Sequence, residues 1–153
     1  IGAGTGLFTL PLSEAVGEAG KVYAVEIARN FLEHIRARAA RVDAANVKTV
    51  LCTERSVELP EASIDLAYIC DVYHHFEYPG ASLASLHKAL KPGGELVLID
   101  FKRIPGESSD FVMGHVRAGQ EVFEAEITAA GFEKVGEVKD VLKENYFVRF
   151  RKP

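Results

Sequence analysis

The chain has 153 residues, 48% of them hydrophobic and 26% charged, with a net charge of −4 and a pI near 5.8. That is the length of one domain able to bury a sizeable core. The absence of any Lys/Arg cluster argues against a nucleic-acid partner, and apolar runs far short of ~20 residues argue against a membrane span.

The chain opens on Gly2-Ala3-Gly4-Thr5-Gly6. Glycines at alternate positions let a loop turn sharply and bring its backbone against a ligand. The pattern predicts a helix from Leu7 to Gly17, with Pro11 tolerated near its start. A strand from Lys21 to Glu26 follows. Glu26 lies about 20 residues beyond the loop, where a carboxylate suits a ribose diol. The dinucleotide pattern G-x-G-x-x-G would need glycine at position 7, which is Leu7. The spacing is therefore G-x-G-x-G, and it argues against an NAD-binding oxidoreductase.

Asn30 to Val42 carries apolar residues near helical spacing. Val47 to Cys52 and Ile64 to Cys70 read as strands, with a turn at Leu59-Pro60. Pro79 to Leu90 reads as a helix with Leu83, Leu86 and Leu90 on one face, stopped by Pro92-Gly93-Gly94. Glu95 to Phe101 reads as a strand. A long loop from Lys102 to Ala118 is expected to be functional or irregular. A helix from Gly119 to Ala130 ends at Gly131. Phe132 to Leu142 and Tyr146 to Arg151 read as strands joined by Lys143-Glu144-Asn145, and so short a connection makes them antiparallel. Alternating strands and helices predict an α/β fold: a doubly wound, mostly parallel sheet closed by a C-terminal antiparallel hairpin. Cys52 and Cys70 end apolar runs and are expected to be buried thiols. No Cys-x-x-Cys or Cys/His spacing points to a metal.

Ile1 to Gly6, Glu26 closing the next strand, and Leu90-Lys91-Pro92-Gly93-Gly94 before an apolar strand resemble a class I S-adenosylmethionine (SAM) methyltransferase. The likeness covers nearly the whole chain as one domain, residues 1–153. It is nearest the small-molecule branch of ubiquinone/menaquinone-biosynthesis type enzymes. It implies a Rossmann-like fold, SAM as methyl donor, S-adenosylhomocysteine as product, a small-molecule acceptor and a cytoplasmic setting. It is compatible with a homodimer. The glycine loop of this family follows a central buried strand, yet only Ile1 precedes it here. The first strand is therefore read as truncated, with the family's usual acidic residue among natural residues ahead of Ile1. Val22–Val25 and Ile64–Ile69 would flank such a strand.

On this reading Gly2, Ala3, Gly4, Thr5 and Gly6 hold SAM at its methionine carboxylate, since loop N–H groups and a helix start favour an anion. Glu26 holds the ribose and Ile27 packs on adenine. The family usually has an acidic residue near adenine after the third strand; here Thr53 stands there with Glu54 beside it, and both are candidates. Asp71 and Val72 follow the fourth strand and are expected at the methionine end of SAM. His74 and His75 are candidates for a general base, their ordinary pKa lying near neutrality. Adjacent side chains are expected to point apart, so one of the two is expected to be structural. Tyr73, Phe111, Met113, His115 and Arg117 are expected to line an acceptor pocket. Asp100 either lies at the ligand edge or caps the loop after it. Two other classes stay open: a SAM-binding protein without catalysis and, more remotely, the oxidoreductase.

Overall fold

A computed structural model describes residues 1–153. The chain forms two compact units, residues 1–53 and 54–153. The first contains α1 (Thr9–Val16), β1 (Val22–Glu26), α2 (Arg29–Arg41) and β2 (Val47–Leu51). β1 and β2 pair in parallel, with Val22 opposite Val47 and Glu26 opposite Leu51. A parallel pair needs a crossover connection, and α2 supplies it. Leu32, Ile35 and Ala39 recur along one stripe of α2 and are its buried residues, which seats that face on the two strands. Ala24, Val25 and Glu26 are buried at the end of β1.

Asn46, just ahead of β2, ties α1 down. Its Oδ1 accepts from Ser13 Oγ at 2.5 Å, and its Nδ2 donates to the carbonyls of Ser13 and Gly17 at 3.1 and 2.9 Å. The last carbonyls of a helix have no partner within it. A single amide here reaches one of them, on Ser13, and the Gly17 carbonyl just past the helix, which also accepts from the Gly20 N–H.

The second unit contains β3 (Ile64–Cys70), a 3₁₀ turn (Tyr73–His75), α3 (Pro79–Ala89), β4 (Leu90–Phe101), α4 (Asp110–His115), α5 (Gln120–Ala129), β5 (Glu133–Glu137) and β6 (Asn145–Arg151). Its sheet has the order β3-β4-β6-β5. β3 and β4 are parallel, whereas β4–β6 and β6–β5 are antiparallel. β4 is the apolar centre: Leu96, Val97, Leu98 and Ile99 are all buried, as expected for a strand covered on both faces. β6 alternates, burying Tyr146, Val148 and Phe150. Phe123, Ile127, Leu83 and Leu86 complete the core from α5 and α3.

The α/β order agrees with the pattern in the sequence, with four differences. The strands form two ladders, β1–β2 and the four-stranded sheet, rather than one continuous sheet. Helix α3 ends at Ala89, before Pro92, and β4 already begins at Leu90. Pro92-Gly93-Gly94 therefore lies inside the strand, where the register to β3 shifts. Gly94 is required there, because a Cβ would lie 2.9 Å from the Lys91 carbonyl oxygen and 3.1 Å from that of Asp65. The long loop contains helix α4, nucleated by Ser109, whose side chain accepts from the Val112 N–H. The final hairpin is antiparallel as expected, but β5 stops at Glu137. Asp140, at φ +62°, takes the chain out of extended conformation, so the connection is longer than three residues.

Removing the Asn46 amide takes one partner each from the Ser13 hydroxyl and from the Ser13 and Gly17 carbonyls. Asn46→Ala should cost about 1–3 kcal/mol, read as a lower denaturant midpoint with an unchanged slope.

Candidate functional site

In the first unit the glycine loop turns back on itself beside β1. The Ala3 N–H donates to the Val25 carbonyl at 3.0 Å, Gly6 N–H to Ala3 at 2.8 Å, and Thr9 N–H to Gly6 at 3.2 Å. Gly2, Gly4 and Gly6 all have positive φ, at 66°, 53° and 80°. The roles of Gly4 and Gly6 differ. A Cβ on Gly6 would lie 2.8 Å from Ile35 Cγ1, so Gly6 lets the loop pack on α2; a Cβ on Gly4 would enter open space. Arg38 of α2 clamps the turn by donating from Nη1 to the carbonyls of Thr5 and Gly6 at 2.9 and 3.2 Å.

Glu26 is buried, and three backbone N–H groups orient its carboxylate. Gly4 donates to Oε2 at 2.8 Å; Ile27 and Ala28 donate to Oε1 at 2.8 and 3.0 Å. A carboxylate has about four acceptor sites, so this one is fixed in place with capacity to spare. Ile27 beside it is 52% exposed, an apolar surface next to a fixed acceptor. The Cys52 N–H donates to the Glu26 carbonyl at 3.0 Å, which brings Thr53 to the same strand end. Thr53 and Glu54 are both exposed.

In the second unit the chemistry gathers where β3 and β4 end. The Asp71 N–H donates to the Ile99 carbonyl at 2.9 Å. Asp71 has φ +52°, and its Oδ1 accepts from Asn145 Nδ2 at 2.6 Å. Burial, and then the neighbouring Asp100 charge, raise its pKa above the ordinary 3.8. Val72 leads into the 3₁₀ turn and is half-buried.

Asp100 is fully buried. It accepts from the His74 and Phe101 N–H groups at 3.2 and 2.8 Å, and its Oδ1 lies 2.7 Å from His74 Nδ1. An ionised carboxylate only accepts; opposite one, Nδ1 is the donor and Nε2 is the ring nitrogen left over. The second reading of Asp100, a cap for the loop, is realised by its bond to Phe101 N–H. Asp100 also anchors the His74 ring.

His74 and His75 do not point apart. Successive residues of a 3₁₀ turn are separated by about 120°, and the two rings lie 4.1 Å apart, centroid to centroid. Helix α4 brings His115 to within 5.0 Å of His74 and 4.9 Å of His75. Phe111 stacks on the far side of His115 at 4.9 Å. His74 is buried, whereas His75 and His115 are exposed. Desolvation lowers the His75 pKa below its ordinary 6.5, reinforced by His74 and His115. Arg103 Nη2 donates to the Met113 carbonyl at 3.1 Å and holds α4 to the chain after β4.

Tyr73 and Arg117 are engaged elsewhere. The Tyr73 ring is fully buried, and its hydroxyl donates to Glu126 Oε2 at 2.8 Å. Arg117 grips the same carboxylate with both terminal nitrogens, at 2.7 and 2.6 Å, and lies over the Phe123 ring. Glu126 thus partners both polar groups. Phe111, Met113 and His115 are gathered on α4. What the sequence did not reveal is the grouping of His115 with His74 and His75. The nearest signal was the placement of all three after strand ends or in the long loop.

The family described as a methyltransferase domain matches residues 1–98. A ubiquinone/menaquinone biosynthesis C-methyltransferase from Marinomonas sp. (strain MWYL1) is 30% identical over 108 residues, which is 70% of this chain and 43% of that protein. One from Escherichia coli O1:K1 / APEC is 28% identical over 104 residues, 67% of this chain and 41% of that protein. The matched region therefore spans less than half the length of these relatives. A SAM-dependent methyltransferase from Aquifex aeolicus superposes with a TM-score of 0.89 over 99% of this chain and 79% of that chain, at 23% identity. The [4+2]-cyclase SpnF superposes with a TM-score of 0.83 over 99% of this chain and 72% of that chain, at 15% identity. These likenesses show a Rossmann-like fold. No helix is long and apolar enough to cross a membrane.

Because its folded-state pKa is raised, Asp71 is penalised when ionised. The folded state holds its proton to higher pH than the unfolded state, so stability falls as pH rises above 3.8. Asparagine tolerates the left-handed backbone and still accepts from Asn145. Asp71→Asn should therefore raise the melting temperature at pH 7, and the gain should vanish below pH 3.8, where the parent carboxyl is protonated in both states. Thermal unfolding at the two pH values checks this.

Proposed function

We propose, from the premise that this chain belongs to the methyltransferase domain family, that it transfers the methyl group of SAM to a small-molecule acceptor in a cytoplasmic setting. The observation that carries this is the buried Glu26 carboxylate, held by three backbone N–H groups beside a glycine turn. An acceptor-only group with free capacity matches the two hydroxyls of a ribose. Gly4 leaves space beside it, which a side chain would fill. The loop N–H groups and the start of α1 suit the methionine carboxylate. Exposed Ile27 packs on adenine. Thr53, next to Cys52 whose N–H bonds the Glu26 carbonyl, meets the adenine edge.

The sulfonium of SAM supplies an activated methyl group. The protein's share is to hold the acceptor in line and to take its proton. As the acceptor atom bonds to the methyl carbon, the sulfur–methyl bond breaks and its electron pair stays on sulfur, which leaves S-adenosylhomocysteine. An acceptor hydroxyl, or the carbon of a phenol or enol, gives up a proton in the same transformation.

Accessibility decides between the two adjacent histidines. The His74 side chain is 2% exposed and tied to Asp100, so it positions the group. His75 is exposed and kept neutral near pH 7 by its lowered pKa, so it is the base. Phe111, Met113 and His115 line the acceptor's side. The curated relatives are named as C-methyltransferases of ubiquinone and menaquinone biosynthesis, which favours carbon of an electron-rich ring as the acceptor atom. The alternative is a SAM-binding protein with another reaction or none, and the likeness to a [4+2]-cyclase keeps that reading in view.

Glu26→Ala should weaken SAM binding by roughly 1.5–3 kcal/mol, measured by calorimetry. A 2′,3′-dideoxy analogue should bind parent and variant almost equally. A variant that still prefers the diol would show that another residue reads the ribose.

His75→Gln should lower turnover on the true acceptor by about 10²- to 10⁴-fold with little change in melting temperature. His74→Gln should instead lower the melting temperature, because it disturbs the buried bond to Asp100. Full activity in the His75 variant would leave catalysis to alignment alone.

A further inference from the structure

We infer that His74, His75 and His115 form a binding site for a divalent transition-metal ion of the Zn²⁺ type, with one coordination position left for an oxygen ligand. One ring nitrogen from each histidine lies within 4.8 Å of the other two. A tetrahedral site with Zn–N bonds of 2.0–2.1 Å sets its nitrogens about 3.3 Å apart. The three atoms therefore need to close by about 1.5 Å at most, a distance within reach of side-chain rotation. His75 and His115 are exposed, so their rings turn against one another and Phe111 rather than against a buried core.

The fixed member is His74. Its Nδ1 is bonded to the fully buried Asp100 at 2.7 Å, which leaves Nε2 as the ligand atom. A carboxylate behind a metal-bound imidazole sets the tautomer, aims the ring and raises its basicity. Asp100 in turn accepts from two backbone N–H groups, so this outer support is rigid. The other two ligands come from the same 3₁₀ turn and from α4, which Phe111 and Arg103 brace. Imidazole donors suit zinc, copper, nickel and iron over magnesium or calcium. Three neutral histidines leave the ion its full double charge and, in a tetrahedral site, an open fourth position. Water or an anionic oxygen, such as a phenolate or enolate, is the ligand class that position takes.

This inference stands on the geometry of the second unit and is independent of the methyl-transfer reading. The two readings share one atom set, because a ring nitrogen that holds an ion cannot also take a proton. Metal loading converts His75 from base to ligand.

The experiment uses untagged, chelator-treated protein titrated with Zn²⁺ alone by calorimetry, and with Co²⁺ alone by absorption spectroscopy. The expected result is one ion per chain and the intense visible bands of tetrahedral Co²⁺. His115→Ala and His75→Ala, exposed positions whose variants can be shown folded by melting temperature, should each lose at least tenfold in Zn²⁺ affinity. Asp100→Asn should lose 10- to 100-fold, the usual effect of an outer-shell partner. His34→Ala, on α2, should change nothing. Binding that survives both His75→Ala and His115→Ala, or that disappears equally with His34→Ala, would overturn the site. So would Co²⁺ spectra of purely octahedral, water-like character.

Discussion

Asp100 is the constraint on which the second unit's chemistry depends. It lies next to the end of β4, fully buried, with an acidic neighbour in Asp71. A carboxylate in such a place persists only if its oxygens are bonded. His74 answers twice, through its backbone N–H and its ring, and Phe101 N–H answers once. Satisfying Asp100 therefore folds the turn after β3 back over the end of β4 and fixes one imidazole. The exposed histidines arrange themselves around that ring. The His74 end of the histidine group thus belongs to the strand end as much as to its own loop.

Glu26 plays the corresponding part in the first unit. It too is a buried carboxylate at the end of a strand, and it too is held by backbone donors. Its donors come from the glycine turn and from the start of α2, and both places supply N–H groups that no helix or ladder uses. The alternate glycines make this possible, since three positive φ values in five residues are costly for any other residue. The fixed acceptor and the exposed Ile27 beside it are thus parts of one local solution. Fold and ligand chemistry are hard to separate here: the bonds that stabilise the turn also orient the carboxylate proposed to recognise a diol.

Tyr73 and Arg117 show the opposite outcome. In sequence they look like pocket residues, a tyrosine beside two histidines and an arginine late in a long loop. In the structure Glu126 of α5 takes both, and Phe123 packs beneath the guanidinium. This bidentate, partly desolvated arrangement is stronger than an exposed ion pair. It joins the segment after α4 and the 3₁₀ turn to α5. Nothing in the residue types separates this role from a binding one, because arginine, tyrosine and glutamate serve both.

The features the sequence settled by itself were local ones. The glycine turn, Glu26 at its strand end and the apolar run of β4 follow from spacing, backbone freedom and hydrophobic period, which act over a few residues. Helix and strand types followed for the same reason, as did the likeness to SAM methyltransferases. Tertiary structure decided what depends on contacts distant in sequence. It placed the Pro-Gly-Gly segment inside β4, where the ladder to β3 must absorb extra residues. It turned part of the long loop into α4, and α4 brought His115 to His74 and His75. It gave Asp100 to His74, and Glu126 to Tyr73 and Arg117. Such pairings are selected by what remains unsatisfied when strands and helices come together, and a polar group's partner is not encoded in its neighbours along the chain.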